Sequence, residues 1–181
     1  MLNTLQIIIH LFLIATIFQP TLVFAENEPL FSRLKNTQDG IVEKVLQADE
    51  LLLKSGERVW LIGIETPEYR NPHVDVETDQ YGFIKETAVD PDTPIEEQAF
   101  MFVRRLLEGK KVKIEFDEQR KNEDGDFIAY VFLMDGTLVN AELLRQGFAS
   151  LKIRPPNLKY AQKLRAAYQE ARKEKRGLQG E

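Results

Sequence analysis

The sequence predicts an α+β protein: a small closed β-barrel of five strands, of the OB type, carrying three α-helices. Five short apolar or alternating segments are punctuated by turn residues, the pattern of a strand meander. One helical pattern interrupts them after the third segment. Two further helical patterns follow the fifth. Five short strands broken by one helix suit a small OB-type barrel, and another α+β packing of the same elements is the alternative. At 181 residues the chain holds one domain with a real core and is short for two.

Residues 1–25 read as a secretory signal peptide. The run from Ile7 to Phe18 is mostly apolar, Pro20 ends any helix there, and Val23-Phe24-Ala25 places small residues where a signal peptidase reads. No Lys or Arg precedes the run, and an uncleaved anchor is the alternative, but so short a run spans a bilayer poorly. No Cys follows it, which excludes a lipid-anchored cysteine. The expectation is export, to a periplasm or the medium, with no stable membrane span after cleavage. Residues 26–38 are polar and expected as a flexible arm, and residues 39–179 as the folded domain.

The first three strands are expected over residues 40–46, 49–54 and 58–64, with Ser55-Gly56-Glu57 as a turn. Leu51, Leu52 and Leu53 are consecutive, so the second strand should be covered on both faces. Residues 65–92 lack a sustained period and carry Pro67, Pro72, Gly82 and Pro91; they read as a long loop. Thr93 is then expected to cap a helix with Pro94 at its first position, acids at its start, and Gly109 at its end. Residues 111–116 and 127–133 form a hairpin around Asn122-Glu123-Asp124-Gly125. Asn140 should cap a short helix over 141–146, and Asn157 a last helix to about Lys175, with Leu158, Ala161, Leu164, Ala167, Tyr168 and Ala171 inward.

Composition narrows the chemistry. There is no Cys, and the only His after the leader is His73, so thiol catalysis, Cys-based zinc and His-rich metal sites are excluded. A Ser-His-Asp arrangement would rest on His73 alone, and no G-x-S-x-G is present. Carboxylates, Arg, Lys and Tyr remain, which points to hard cations with oxygen ligands. The net charge is −5, but it is unevenly spread. Residues 65–97 are acidic with only Arg70 and Lys85 as cations. Residues 152–176 are basic with only Glu170 and Glu174 as anions. The basic stretch is a phosphate-binding face or, more plainly, a solvated surface.

The segment Val59-Trp60-Leu61-Ile62-Gly63-Ile64-Glu65-Thr66-Pro67-Glu68 resembles the signature V-R-L-I-G-I-D-T-P-E of the staphylococcal nuclease (thermonuclease) family. Phe127-Ile128-Ala129-Tyr130-Val131, the run from Leu138 to Gly147, and Ala171-Arg172-Lys173-Glu174-Lys175 resemble later family segments in the same order. The similarity covers most of residues 40–179. The resemblance implies an SNase-like OB barrel with three helices and a Ca²⁺-dependent phosphodiesterase acting on DNA and RNA. It places metal ligands at Asp49, Glu65 and the Thr66 carbonyl, and the general base at Glu68. The turn written D-G-D-T in the family reads Gln47-Ala48-Asp49-Glu50 here. Glu65 stands where Asp is usual and reaches one methylene further.

The family's two phosphate-binding arginines fall on Trp60 and Asp126. Losing one such donor costs roughly 3–4 kcal/mol of transition-state stabilisation, and a carboxylate in its place adds repulsion. Arg58, on the same strand face as Trp60, and Arg70, on the loop after Glu68, are possible substitutes; both also read as plain surface cations. Trp60 could stack a base, but a core position is the simpler expectation. The first expectation is therefore an exported family member with weak or no nucleic-acid hydrolysis that retains ligand binding, to single-stranded DNA or RNA among other partners. An active divergent Ca²⁺-dependent nuclease is the second. The third is an envelope protein-interaction module using the acidic loop 69–92 or the basic last helix.

Overall fold

The computed structural model describes residues 36–70 and 93–180. The predicted leader, all but the end of the predicted arm, His73 and loop residues 71–92 lie outside the described residues. Strand β1 (Thr37–Gln47) is the longest of the barrel. Its first half pairs with β5 (Lys111–Glu115), from Thr37↔Glu115 to Ile41↔Lys111. Its second half pairs with β2 (Glu50–Leu53), from Val42↔Leu53 to Gln47↔Glu50. Register shifts after Val42 and Val45 let it bend between its two partners. Strand β3 (Arg58–Leu61) runs antiparallel to β2 and parallel to β6 (Phe127–Leu133), and β6 runs antiparallel to β5. The order β1-β2-β3-β6-β5 closes on itself. With helices α1 (Ile95–Leu107), α2 (Val139–Arg145) and α3 (Ala161–Glu174), this is the five-stranded α+β barrel with three helices that the sequence predicts. Val42, Leu51, Leu53, Val59, Phe100 and Tyr130 are among its fully buried core side chains.

Several local expectations are corrected. The last residues of the predicted arm are in the barrel, since Thr37 and Gln38 pair with Glu115 and Ile114. The apolar run 58–64 is two strands: β3 ends at Leu61, and β4 (Gly63–Glu65) leaves the barrel to pair with β7 (Ser150–Lys152). The break sits at Gly63, whose φ is +82°, and a Cβ there would lie 2.4 Å from Leu164 Cδ1 of α3. Only glycine meets both demands at once. Leu52 is half-buried rather than sealed. Leu158 is exposed instead of packed.

The polar residues expected as helix caps do other work. Pro94, with ψ 144°, stays outside α1, and neither it nor Thr93 caps by side chain; the Thr93 carbonyl instead accepts a bond from Gln98 Nε2 at 2.6 Å. Asn140 lies inside α2 and is fully buried. Its Nδ2 donates to the Ile62 carbonyl at 2.9 Å, and its Oδ1 accepts from the Val131 amide at 3.0 Å. Asn140 thus satisfies backbone groups freed at the β3–β4 break. Asn157 precedes α3 by a turn and accepts from the Gln119 amide while donating to the Gln119 carbonyl, at 2.8 and 3.1 Å.

After α3 the chain folds back against the α2–β7 corner. The Leu178 amide donates to the Gly147 carbonyl, Gln179 Nε2 to the Ala149 carbonyl, and Arg176 Nη1 to the Arg145 carbonyl. A Cβ on Gly147 would lie 2.1 Å from the Arg176 carbonyl oxygen, so this clasp also requires glycine at its contact point. No helix among the described residues is long and apolar enough to cross a membrane.

Candidate active site

The β1–β2 turn and the segment after β4 face one another, and two interactions fix them. Gln47 clamps the backbone of Tyr69: its Nε2 donates to the Tyr69 carbonyl at 3.1 Å, and its Oε1 accepts from the Tyr69 amide at 3.0 Å. Tyr69 is buried, with its ring 5.1 Å from that of Phe100. Sequence reasoning treated Gln47 only as a departure from a motif; its use as a clamp depends on a partner 22 residues away, which no local pattern reveals.

Asp49 Oδ2 accepts a bond from the Thr66 amide at 3.2 Å. Burial pushes the Asp49 carboxyl above its ordinary range, the Thr66 amide opposes this, and the nearby Glu65 carboxylate adds to the rise. The structure therefore brings Asp49, Glu65 and Thr66 together. Glu68 lies on the same segment, between Thr66 and the clamped Tyr69, and is exposed.

The two positions matched to arginines in the resemblance are also adjacent. Trp60 Nε1 donates to Asp126 Oδ2 at 3.2 Å. Trp60 is half-buried, while its neighbours Val59 and Leu61 point into the core, so the expected core placement of Trp60 is corrected. Asp126 is held by its own turn, its amide donating to Asn122 Oδ1 at 2.9 Å. Arg58 shares the face of Trp60, and its Nη1 donates to Glu50 Oε1 at 2.8 Å. Glu50, opposite Trp60 in the sheet, is buried. Burial pushes its carboxyl up against the pull of Arg58, with Asp126 and Asp49 pushing the same way. Arg70 is exposed and has no ion pair among the described residues. Glu65 pairs with Lys152 Nζ on β7.

A cavity of about 530 Å³ is walled by Gly63, Asn122, Glu123, Asp124, Lys152 and Arg154 among others, and none of Asp49, Glu65, Thr66, Glu68, Trp60 or Asp126 lines it. It takes in the turn that carries Asp126 and the strand that leads to Glu65.

A family model of staphylococcal nuclease homologues matches residues 58–179. The chain belongs to the staphylococcal nuclease family. The thermonuclease of Staphylococcus intermedius is 32% identical over 139 residues, 74% of this chain and 71% of that protein. The thermonuclease of Staphylococcus hyicus is 30% identical over 149 residues, 79% of this chain and 76% of that protein. Endonuclease YncB of Bacillus subtilis (strain 168) is 30% identical over 114 residues, 62% and 46% of the two chains.

The staphylococcal nuclease family is one of calcium-dependent nucleases. Among the described residues no group of three or more His, Asp or Glu side chains gathers as a metal site. The donors present still suit a hard cation: two neighbouring carboxylates, Asp49 and Glu65, whose mutual repulsion a cation would relieve. Beside them, the Thr66 hydroxyl is buried against the Asp49 carboxylate, whose proton affinity both it and the Thr66 amide lower.

Proposed function

We propose that this protein is an exported nuclease-family member that binds nucleic-acid phosphate together with Ca²⁺ and hydrolyses it weakly or not at all. The observation that carries the reading is the Trp60–Asp126 hydrogen bond. At the two positions where the family resemblance implies guanidinium groups, an indole and a carboxylate satisfy each other. Arg58, the nearest substitute, is held by buried Glu50. Withdrawing it would leave the buried Glu50 carboxylate without its partner, which is unfavourable.

In this reading Asp49, Glu65 and the Thr66 carbonyl would hold the cation, and Glu68 would take the proton from the attacking water. Bound Ca²⁺ would supply charge to polarise the phosphate. The Gln47 clamp on Tyr69 fixes the backbone of the residue next to Glu68. What is missing is a bidentate donor for the charge that grows on the phosphoryl oxygens, worth roughly 10²–10³ in rate for each donor lost.

The test is cleavage of denatured DNA by the purified protein with and without Ca²⁺, beside Glu68→Gln. We expect Ca²⁺-dependent capture of the DNA and cleavage no faster than about the Glu68→Gln background. Rapid Ca²⁺-dependent cleavage that disappears in Glu68→Gln would replace this reading with an active nuclease.

A further inference from the structure

The face around Asp49 holds two cations in ion pairs, and the surroundings of each decide what it can do. Arg58 is paired with a carboxylate of which only 9% of the side chain is exposed. The Arg58 side chain is itself 54% exposed, but leaving Glu50 strips a buried carboxylate of its partner, which makes this pair the harder of the two to exchange. Lys152 is paired with Glu65, whose side chain is 55% exposed. Exposed pairs of this kind are worth only about 0–1 kcal/mol, so the partner can be exchanged at little cost.

The strand register explains how Lys152 reaches its partner. It lies opposite Gly63, and Glu65 lies opposite Ser150. Lys152 and Glu65 are therefore diagonal neighbours on one face. The same Lys152 lines the 530 Å³ cavity, which it shares with Arg154 and with two acids, Glu123 and Asp124. Arg154 is exposed and has no ion pair among the described residues. A lysine is a compact charge on a flexible four-carbon stem, and Lys152 is the residue that touches both Glu65 and this cavity.

We propose that Lys152 is the phosphate-facing cation of this site, and that its ammonium alternates between two anions. Without a divalent cation it neutralises Glu65. When Ca²⁺ takes Glu65, the ammonium is released toward a polynucleotide phosphate at the cavity, beside Arg154. One residue thus does two things: it competes with the metal for Glu65, and it supplies part of the positive charge that Trp60 and Asp126 cannot. The inference rests on the cation-and-phosphate reading above and adds the residue that links the two ligands.

The test uses two probes on the full chain, read by calorimetry: Ca²⁺ alone, and a short cleavage-resistant phosphorothioate oligothymidylate at saturating Ca²⁺. In Lys152→Met, Ca²⁺ should bind about twofold to fivefold more tightly, because its competitor is gone. The oligothymidylate should bind several-fold more weakly, with its salt dependence reduced by about one charge. Lys152→Arg should retain oligothymidylate binding. Opposite changes in the two affinities cannot come from general damage to the β4–β7 pair, which would weaken both. If Lys152→Met does not fold, Lys152→Gln carries the same expectations. Unchanged or weaker Ca²⁺ binding alongside normal wild-type capture of the oligothymidylate overturns the role of Lys152 alone. A wild-type protein that captures no oligothymidylate overturns the underlying reading as well.

Discussion

Asn140 and Glu50 are both buried polar side chains, and they sit in opposite kinds of surroundings. Asn140 is enclosed on α2 and bonds only to backbone, at Ile62, Ala129 and Val131. Its partners cannot leave, and its bonds hold the junction between β3 and β4 in one arrangement. Glu50 looks outward to a face crowded with charge, where Arg58 holds it and Asp49 and Asp126 repel it. Two further pairs on that face, Trp60–Asp126 and Glu65–Lys152, are partly exposed. Buried polarity that bonds to backbone specifies the fold. Polarity that bonds to other side chains at a surface leaves room for a ligand to take one partner's place.

The contrast breaks most visibly if the outward face is rebuilt. Trp60→Arg combined with Asp126→Arg should raise the initial rate of Ca²⁺-dependent DNA cleavage by about 10²-fold or more. Trp60→Arg alone should gain little, since Asp126 would take the new guanidinium. A double variant no faster than the wild type would show that the two positions do not limit hydrolysis.

The inward region should respond in stability. Asn140→Ala leaves the Val131 amide and the Ile62 carbonyl without this partner, at about 1–3 kcal/mol for each buried group. Urea unfolding should therefore show a loss of about 2–6 kcal/mol with little change in the denaturant slope. A loss below about 1 kcal/mol would mean water replaces the amide.

The smallest effect is expected at Asp49, and its sign is opposite. Its carboxyl is raised above the ordinary value of 3.8, so above that value the folded state holds its proton more tightly than the unfolded state. The contribution of this group to stability therefore falls as pH rises through the window. Without divalent cations, Asp49→Asn should raise the melting temperature slightly at neutral pH, and the gain should shrink as pH approaches 3.8. Adding Ca²⁺ should stabilise the wild type and not the variant. A variant less stable than the wild type at neutral pH without Ca²⁺ would show that the Thr66 amide outweighs burial at this carboxyl.

The barrel was legible because its strands are bounded by strong local signals. Ser55-Gly56 and Asp124-Gly125 mark turns, and Ile95 to Leu107 carries helical spacing with acids first and basic residues last. The β3–β4 break was not legible, since every residue from Val59 to Ile64 is apolar or glycine and the cause is Leu164, a hundred residues away. Strand β7 has three residues, too few for a period. Asn140 and Asn157 were misread because an amide suited to a helix cap is equally suited to bonding distant backbone. At the site, the positions of Asp49, Glu65, Thr66 and Glu68 came from motif order. The pairings that qualify their chemistry, Arg58–Glu50, Trp60–Asp126 and Lys152–Glu65, are made across strands and turns and leave no mark on either local segment.

The C-terminal clasp bears on the order in which the protein can assemble. Ribosomes make the chain from its N-terminus, so all five barrel strands are available before Arg176, Leu178 and Gln179 exist. Yet these late residues supply the hydrogen bonds that close the corner between α2 and β7, and β7 carries Lys152. A nascent chain can thus form its barrel early, but the corner between α2 and β7 is completed only after residue 179 has been added.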